Sequence, residues 1–140
     1  MSAARADAAR CFVCGPANPI GLRLTFHLDG GHCRGKFTAL ADHVGFDGVT
    51  HGGIVFSVLD DAMANWFFLQ GARGYTAKAE IRFRAPMPIG ATALITCALM
   101  HRKGRLLQLT AVARDHASDQ LFAESSASFM LEGGGQLLPA

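Results

Sequence analysis

The stretch LRLTFHLD, residues 22–29, alternates apolar and polar positions without a break. That period of two is the mark of a strand with one face on a core. Gly30-Gly31 turns the chain, and residues 33–40 are expected to return as a second strand. Residues 42–49 form a loop containing Gly and Asp. From Thr50 apolar residues recur at helical spacing as far as Gly71, a residue suited to closing a helix. Alternation resumes over 77–85 and is broken by Pro86, Pro88 and Gly90. Three further strands are expected at 91–100, 106–114 and 121–131. Two strands, a long helix and four strands with short links predict an α+β fold whose sheet is an antiparallel meander of about six strands.

The helix carries more information than its length. At about 100° per residue, Val55, Val58, Leu59, Ala62, Met63, Trp66, Phe67, Leu69 and Gln70 cover well over half of its circumference. An ordinary surface helix has a narrower apolar stripe, so a curved sheet is expected to wrap this one. Ser57, Asp60, Asp61, Ala64 and Phe68 share the remaining sector, with Asn65 on its border. Phe68 and Ala64 are poor companions for two carboxylates in water. The sector is therefore expected to form a partly enclosed site at a subunit interface, and unpaired sheet edges point the same way, to a homodimer or a dimer of dimers.

Composition narrows the function. The chain has 140 residues, 50% of them hydrophobic, enough for one domain with a core. Residues 1–20 read as an entry segment and 132–140 as a frayed tail. The net charge of +2 is small and the basic residues are scattered, which argues against a nucleic-acid partner. Two Asp at mid-span make residues 54–69 a costly membrane helix, and the N-terminus has no apolar signal region, so a cytoplasmic protein without a membrane partner is expected. Of the four cysteines, Cys11 and Cys14 form a lone Cys-x-x-Cys; no second Cys or His pair follows, so ordinary reduced thiols and no metal are expected.

His51-Gly52-Gly53, six residues, then Asp60, all on a long apolar helix between antiparallel strands, resembles the hot-dog-fold acyl-CoA thioesterases of the phenylacetate-degradation and 4-hydroxybenzoyl-CoA thioesterase superfamily. CFVCGPANPIGLRLTF (residues 11–26) is similar to the entry segment of one bacterial branch of that family. IRFRAPMPIG (81–90) is similar to its strand after the helix. The resemblance implies a hot-dog fold, a catalytic dimer and an acyl-CoA substrate, with no cofactor beyond the substrate's own coenzyme A. It implies that the backbone N–H of Gly52 polarises the thioester carbonyl, and that Asp60 acts as general base on water or as nucleophile. In this family the sites lie at the dimer interface. One departure is that many relatives carry Asn or Gln about six residues before the His, where this chain has Gly45; His43 and Asp47 are the candidates to replace that amide.

Elementary chemistry agrees with those roles. A helix N-terminus offers unpaired N–H groups and partial positive charge to a developing oxyanion. Glycines at 52 and 53 allow close approach to that backbone. Asp60 lies roughly 12 Å along the axis from Gly52, at about 1.5 Å per residue, so the acid that completes the site is expected from the partner subunit. Burial is expected to raise its pKa toward a useful base.

The other candidates have two readings each. His51 either fixes the turn by bonding backbone or touches substrate. Ser57 and Asn65 either hold water or the acyl group, or are satisfied rim polar groups, and Asp61 is either an acid supporting the site from behind or polar surface near the interface. Thr76 is placed to reach the site across the dimer, and Arg102, Lys103 and Arg105 form a hairpin tip that either meets the phosphates of coenzyme A or is a solvated turn. Two other functions compete with this one: a non-catalytic acyl-CoA binder, which would keep the pocket without the base, and a hot-dog hydratase or dehydratase, which resembles a different pattern with a catalytic His among prolines that FDGVTHGG lacks.

Overall fold

The computed structural model describes residues 7–133 and 137. The elements in order are β1 (Phe26–Asp29), β2 (His32–Thr38), a 3-10 turn (Ala41–His43), the helix α1 (Gly52–Phe68), β3 (Gly74–Phe83), β4 (Thr92–Lys103), β5 (Leu106–Asp115) and β6 (Leu121–Leu131). One six-stranded sheet runs β1-β2-β4-β5-β6-β3, and every neighbouring pair is antiparallel. The helix packs against all six strands. Trp66, Phe67, Leu59 and Met63 are sealed between it and the sheet, and Trp66 Nε1 donates to Gly31 O (2.8 Å), which satisfies the indole in an otherwise apolar core.

The meander is corrected. β3 pairs with β6 at the far edge instead of with β4, so the connection after β3 must cross to the middle of the sheet. The prolines and glycine of residues 86–90 make that crossing. Met87 is buried, its carbonyl accepts from Thr50 N (2.8 Å), and Gly90 N donates to Ala39 O (2.7 Å), so the crossover is stitched under the start of α1.

Boundaries shift for local reasons. Leu22 N and Leu24 N donate to Phe12 O and Val13 O (both 2.8 Å), so residues 22–25 pair with the entry segment and β1 begins only at Phe26. The alternation was still physical, because Leu22, Leu24 and Leu28 pack against the core. Thr50 is tied to the crossover, and α1 starts at Gly52 with His51 as its N-cap. It stops at Phe68 rather than Gly71. Gly71, at φ +90°, lets its own N–H reach Phe68 O and that of Ala72 reach Phe67 O, closing the last turn. Leu69 therefore leaves the buried face (38% exposed), while Asn65 belongs to it (2%). β4 runs on to Lys103, which puts Arg102 and Lys103 on the strand and leaves Gly104-Arg105 as the turn.

The first six residues of the entry segment, and the expected frayed tail apart from Glu132, Gly133 and Leu137, lie outside the described residues. Among the described residues no helix is long and apolar enough to cross a membrane.

Candidate active site

The first turn of α1 has four backbone N–H groups to satisfy. Ile54 N and Val55 N both donate to His51 O (3.0 and 3.2 Å), and Gly53 N donates to His51 Nδ1 (2.8 Å). Gly52 N makes no hydrogen bond among the described residues. His51 thus takes the backbone-fixing reading, and its ring spends the Gly53 N–H on the cap. A Cβ on Gly53 would come within 3.0 Å of that ring, and one on Gly45 within 3.2 Å of His51 Cα, so both glycines make room for the cap. At Gly45 this is a steric reason for the missing family amide. Neither substitute is free to replace it simply: His43 Nδ1 is engaged by Leu40 N (2.9 Å), and Asp47 is exposed.

Gly52 opens onto an apolar cleft of about 700 Å³. Its walls come from the loop before the helix (Val44, Phe46, Val49), the end of β3 (Phe83, Arg84) and the crossover (Pro86, Met87). The Phe83 ring lies over Gly52, 3.3 Å from where a Cβ would stand, and so leaves the peptide N–H as the polar feature of an apolar wall. Phe46 is 90% exposed at the rim. Arg84, also at the rim, pairs with Glu124 (3.0 Å). Phe46, Phe83 and Arg84 were missed as site residues. The quoted segment IRFRAPMPIG held two of them, yet alternation shows only which face a residue takes, not that β3 ends against the helix start.

Asp60 and Asp61 leave the helix in different directions, and neither lines the cleft of its own chain. Asp60 Oδ1 accepts from Thr76 Oγ1 (2.7 Å) on β3, a contact within one protomer. Burial pushes its carboxyl above the usual range, partly offset by that hydroxyl. Asp61 Oδ2 accepts from Asn65 Nδ2 (2.9 Å), and Cys11 Sγ donates to Asp61 Oδ1 (3.4 Å). Burial raises Asp61 as well, while the Cys14 thiol and the amides of Cys14 and Val13 pull the Cys11 thiol well below its usual value. Ser57 Oγ donates to Gly53 O (2.8 Å) and is satisfied within the helix; Asn65 Nδ2 also donates to Asp61 O (2.8 Å), while Asn65 Oδ1 is buried and has no partner among the described residues.

The basic tip stands elsewhere. Arg102 Nε donates to Gly104 O (3.1 Å) and Arg105 Nη1 reaches Leu131 O (3.5 Å). Leu106 pairs with Met130 and Gly74 with Leu131, at the end of the sheet where α1 finishes, whereas Phe83 pairs with Ala123 at the end where it starts. One chain does not bring Arg102, Lys103 and Arg105 to its own Gly52.

The thioesterase superfamily family model matches residues 47–120, from the loop before the helix to the turn before β6. The chain belongs to the thioesterase superfamily. Among solved structures, RHA08564, a thioesterase superfamily protein, is 26% identical with a TM-score of 0.77 over 84% of this chain. This chain spans only 61% of that protein's length. The PaaI protein from the Escherichia coli phenylacetic acid degradation operon is 22% identical, with a TM-score of 0.74 over 81% of this chain and 83% of its own. The protein smu.793 of Streptococcus mutans, solved with acetyl-CoA bound, is 17% identical, with a TM-score of 0.73 over 81% and 91%. No curated protein matches. The superfamily member thus has the α+β hot-dog architecture, one long helix wrapped by a curved antiparallel sheet.

Proposed function

We propose that this protein hydrolyses an acyl-CoA thioester to the free acid and coenzyme A, at a site built from two copies of the chain. The observation that carries the reading is the Gly52 N–H: among the described residues it alone in the first turn lacks an acceptor, it sits at the positive end of α1, and it opens on an apolar cleft. Such a donor is placed to stabilise the oxyanion of a tetrahedral intermediate. Asp60 of the partner subunit then acts as general base on water, or as nucleophile, its raised pKa suiting it to accept a proton. That the acid comes from the partner is supported by its absence from the cleft of its own chain and by β3, an edge strand that exposes Tyr75 (57%) and Phe83 (55%). The coenzyme A complexes of fold relatives, smu.793 with acetyl-CoA and a Streptococcus pneumoniae hypothetical thioesterase with coenzyme A, support the choice of thioester.

Complementation tests both halves at once. Gly52→Pro deletes the N–H at the first helical position, where proline is tolerated, and Asp60→Asn deletes the base; each alone is expected to be nearly inactive on a panel of acyl-CoAs followed by a thiol reagent. A dimer carrying one of each retains one intact composite site, so co-expressed or co-refolded chains regain about a quarter of wild-type activity if subunits pair at random. No recovery overturns the two-chain site. Tight acyl-CoA binding without turnover by the wild type overturns hydrolysis itself.

A further inference from the structure

A second cluster of reactive groups lies outside the Gly52 cleft. The turn of the entry segment brings Cys11 Sγ and Cys14 Sγ together with a carboxylate oxygen of Asp61, all within 4.8 Å of one another. We propose that Cys11, Cys14 and Asp61 bind a thiophilic divalent cation, zinc by chemical preference, with Asn65 positioning the carboxylate and a water molecule completing the tetrahedron.

Three observations carry this. The donor set is two thiols and a carboxylate, the ligands that zinc takes, and bonds of about 2.3 Å to sulfur and 2.0–2.2 Å to oxygen separate tetrahedral donors by roughly 3.5–3.8 Å, so a small contraction closes the site.

The turn is also held closed by its own backbone. Gly15 N closes the loop on Cys11 O (2.9 Å), and a Cβ at Gly15 would collide with the Cys11 backbone, so the Cys-x-x-Cys-Gly form is sterically required. Finally, Asn65 behaves as an outer partner of a metal site. It is 2% exposed, and its Nδ2 holds Asp61 Oδ2 (2.9 Å) and reaches Cys14 Sγ (3.7 Å), which leaves Asp61 Oδ1 directed at Cys11. Cys-x-x-Cys supplies two donors close in the chain; the third lies 50 residues from Cys11 and is supplied by folding.

A cation here clamps the entry segment to the central helix. The inference does not depend on thioester hydrolysis, and its readouts are independent of activity. The reduced full-length protein, stripped with a chelator, is titrated with Co2+ and then with Zn2+. Expected are one equivalent per chain, a sulfur-to-cobalt charge-transfer absorption that Zn2+ displaces, and a higher melting temperature with Zn2+. Cys11→Ser and Cys14→Ser each abolish the absorption, Cys97→Ala keeps it, and Asn65→Ser weakens affinity by about 10–100-fold. A wild-type protein that shows no charge-transfer absorption at stoichiometric Co2+, or an absorption that persists in the Cys11/Cys14 double serine variant, overturns the site. The wild-type titration needs no variant, so a serine variant that fails to fold leaves the test standing.

Discussion

Asp60 and Asp61 are consecutive residues of one helix, both half-buried, and their surroundings differ in kind. About 100° of helical rotation separates them. Asp60 meets a single hydroxyl, that of Thr76, through one oxygen, and its other oxygen makes no hydrogen bond among the described residues. Asp61 has both oxygens engaged, one by the Asn65 amide and one by the Cys11 thiol. A carboxylate with a free oxygen at an exposed strand edge suits proton transfer to a molecule arriving from outside the chain. One held at both oxygens between sulfurs and an amide suits a fixed structural contact. Residue type and burial are shared, so the partners decide.

The largest expected effect breaks the pair apart. Asp60→Asn is expected to lower kcat for acyl-CoA hydrolysis by about 10²–10⁴-fold, the range for loss of a general base, with the melting temperature little changed. A drop of a few-fold would remove Asp60 from the chemistry. Gly52→Pro comes next, with about 10²–10³-fold in kcat expected for loss of one oxyanion donor and KM changed far less. Far-ultraviolet circular dichroism checks that the helix survives.

On the Asp61 side the readout moves from rate to stability. Asn65→Ala strips the buried amide from Asp61 and is expected to cost about 1–3 kcal/mol in urea unfolding, a larger loss than any from Thr76→Val, whose site is exposed. Thr76→Val should instead act on Asp60. Removing the hydroxyl that lowers the Asp60 pKa raises it further, and since the carboxylate is the working form, the acid limb of kcat against pH moves to higher pH. An unmoved limb would disconnect Thr76 from the base.

The smallest effect concerns thiols. Burial pushes Cys33 up to about 12 and raises Cys97 as well, so neither reacts with a thiol reagent in the folded protein, whereas half-buried Cys11, pulled down by its neighbours, reacts first. Native labelling followed by peptide mapping checks the order.

Much of this was legible along the chain. Alternation marked β1 and β3, helical spacing marked α1, and the breadth of its apolar face announced the wrapping sheet, because burial repeats with the geometry of each element. Ends were less legible: LRLT has a strand's pattern but spends its N–H groups on Phe12 and Val13. The pairing of β3 with β6 was invisible, since a strand pattern records which side is buried and says nothing about which edge is joined.

At the site, the sequence by itself determined the chemistry available: a glycine pair opening a helix, two adjacent carboxylates on its less apolar sector, and a Cys-x-x-Cys. Only the tertiary structure decided which N–H stays unpaired, that Phe83 and Arg84 close the cleft beside it, and that Thr76 and Cys11 divide the two acids between them. The reason is distance along the chain. Periodicity is a local property, set within a few residues, whereas the partner of Asp60 is 16 residues away and that of Asp61 is 50, brought into contact only by the return of β3 along α1 and the packing of the entry segment on the helix.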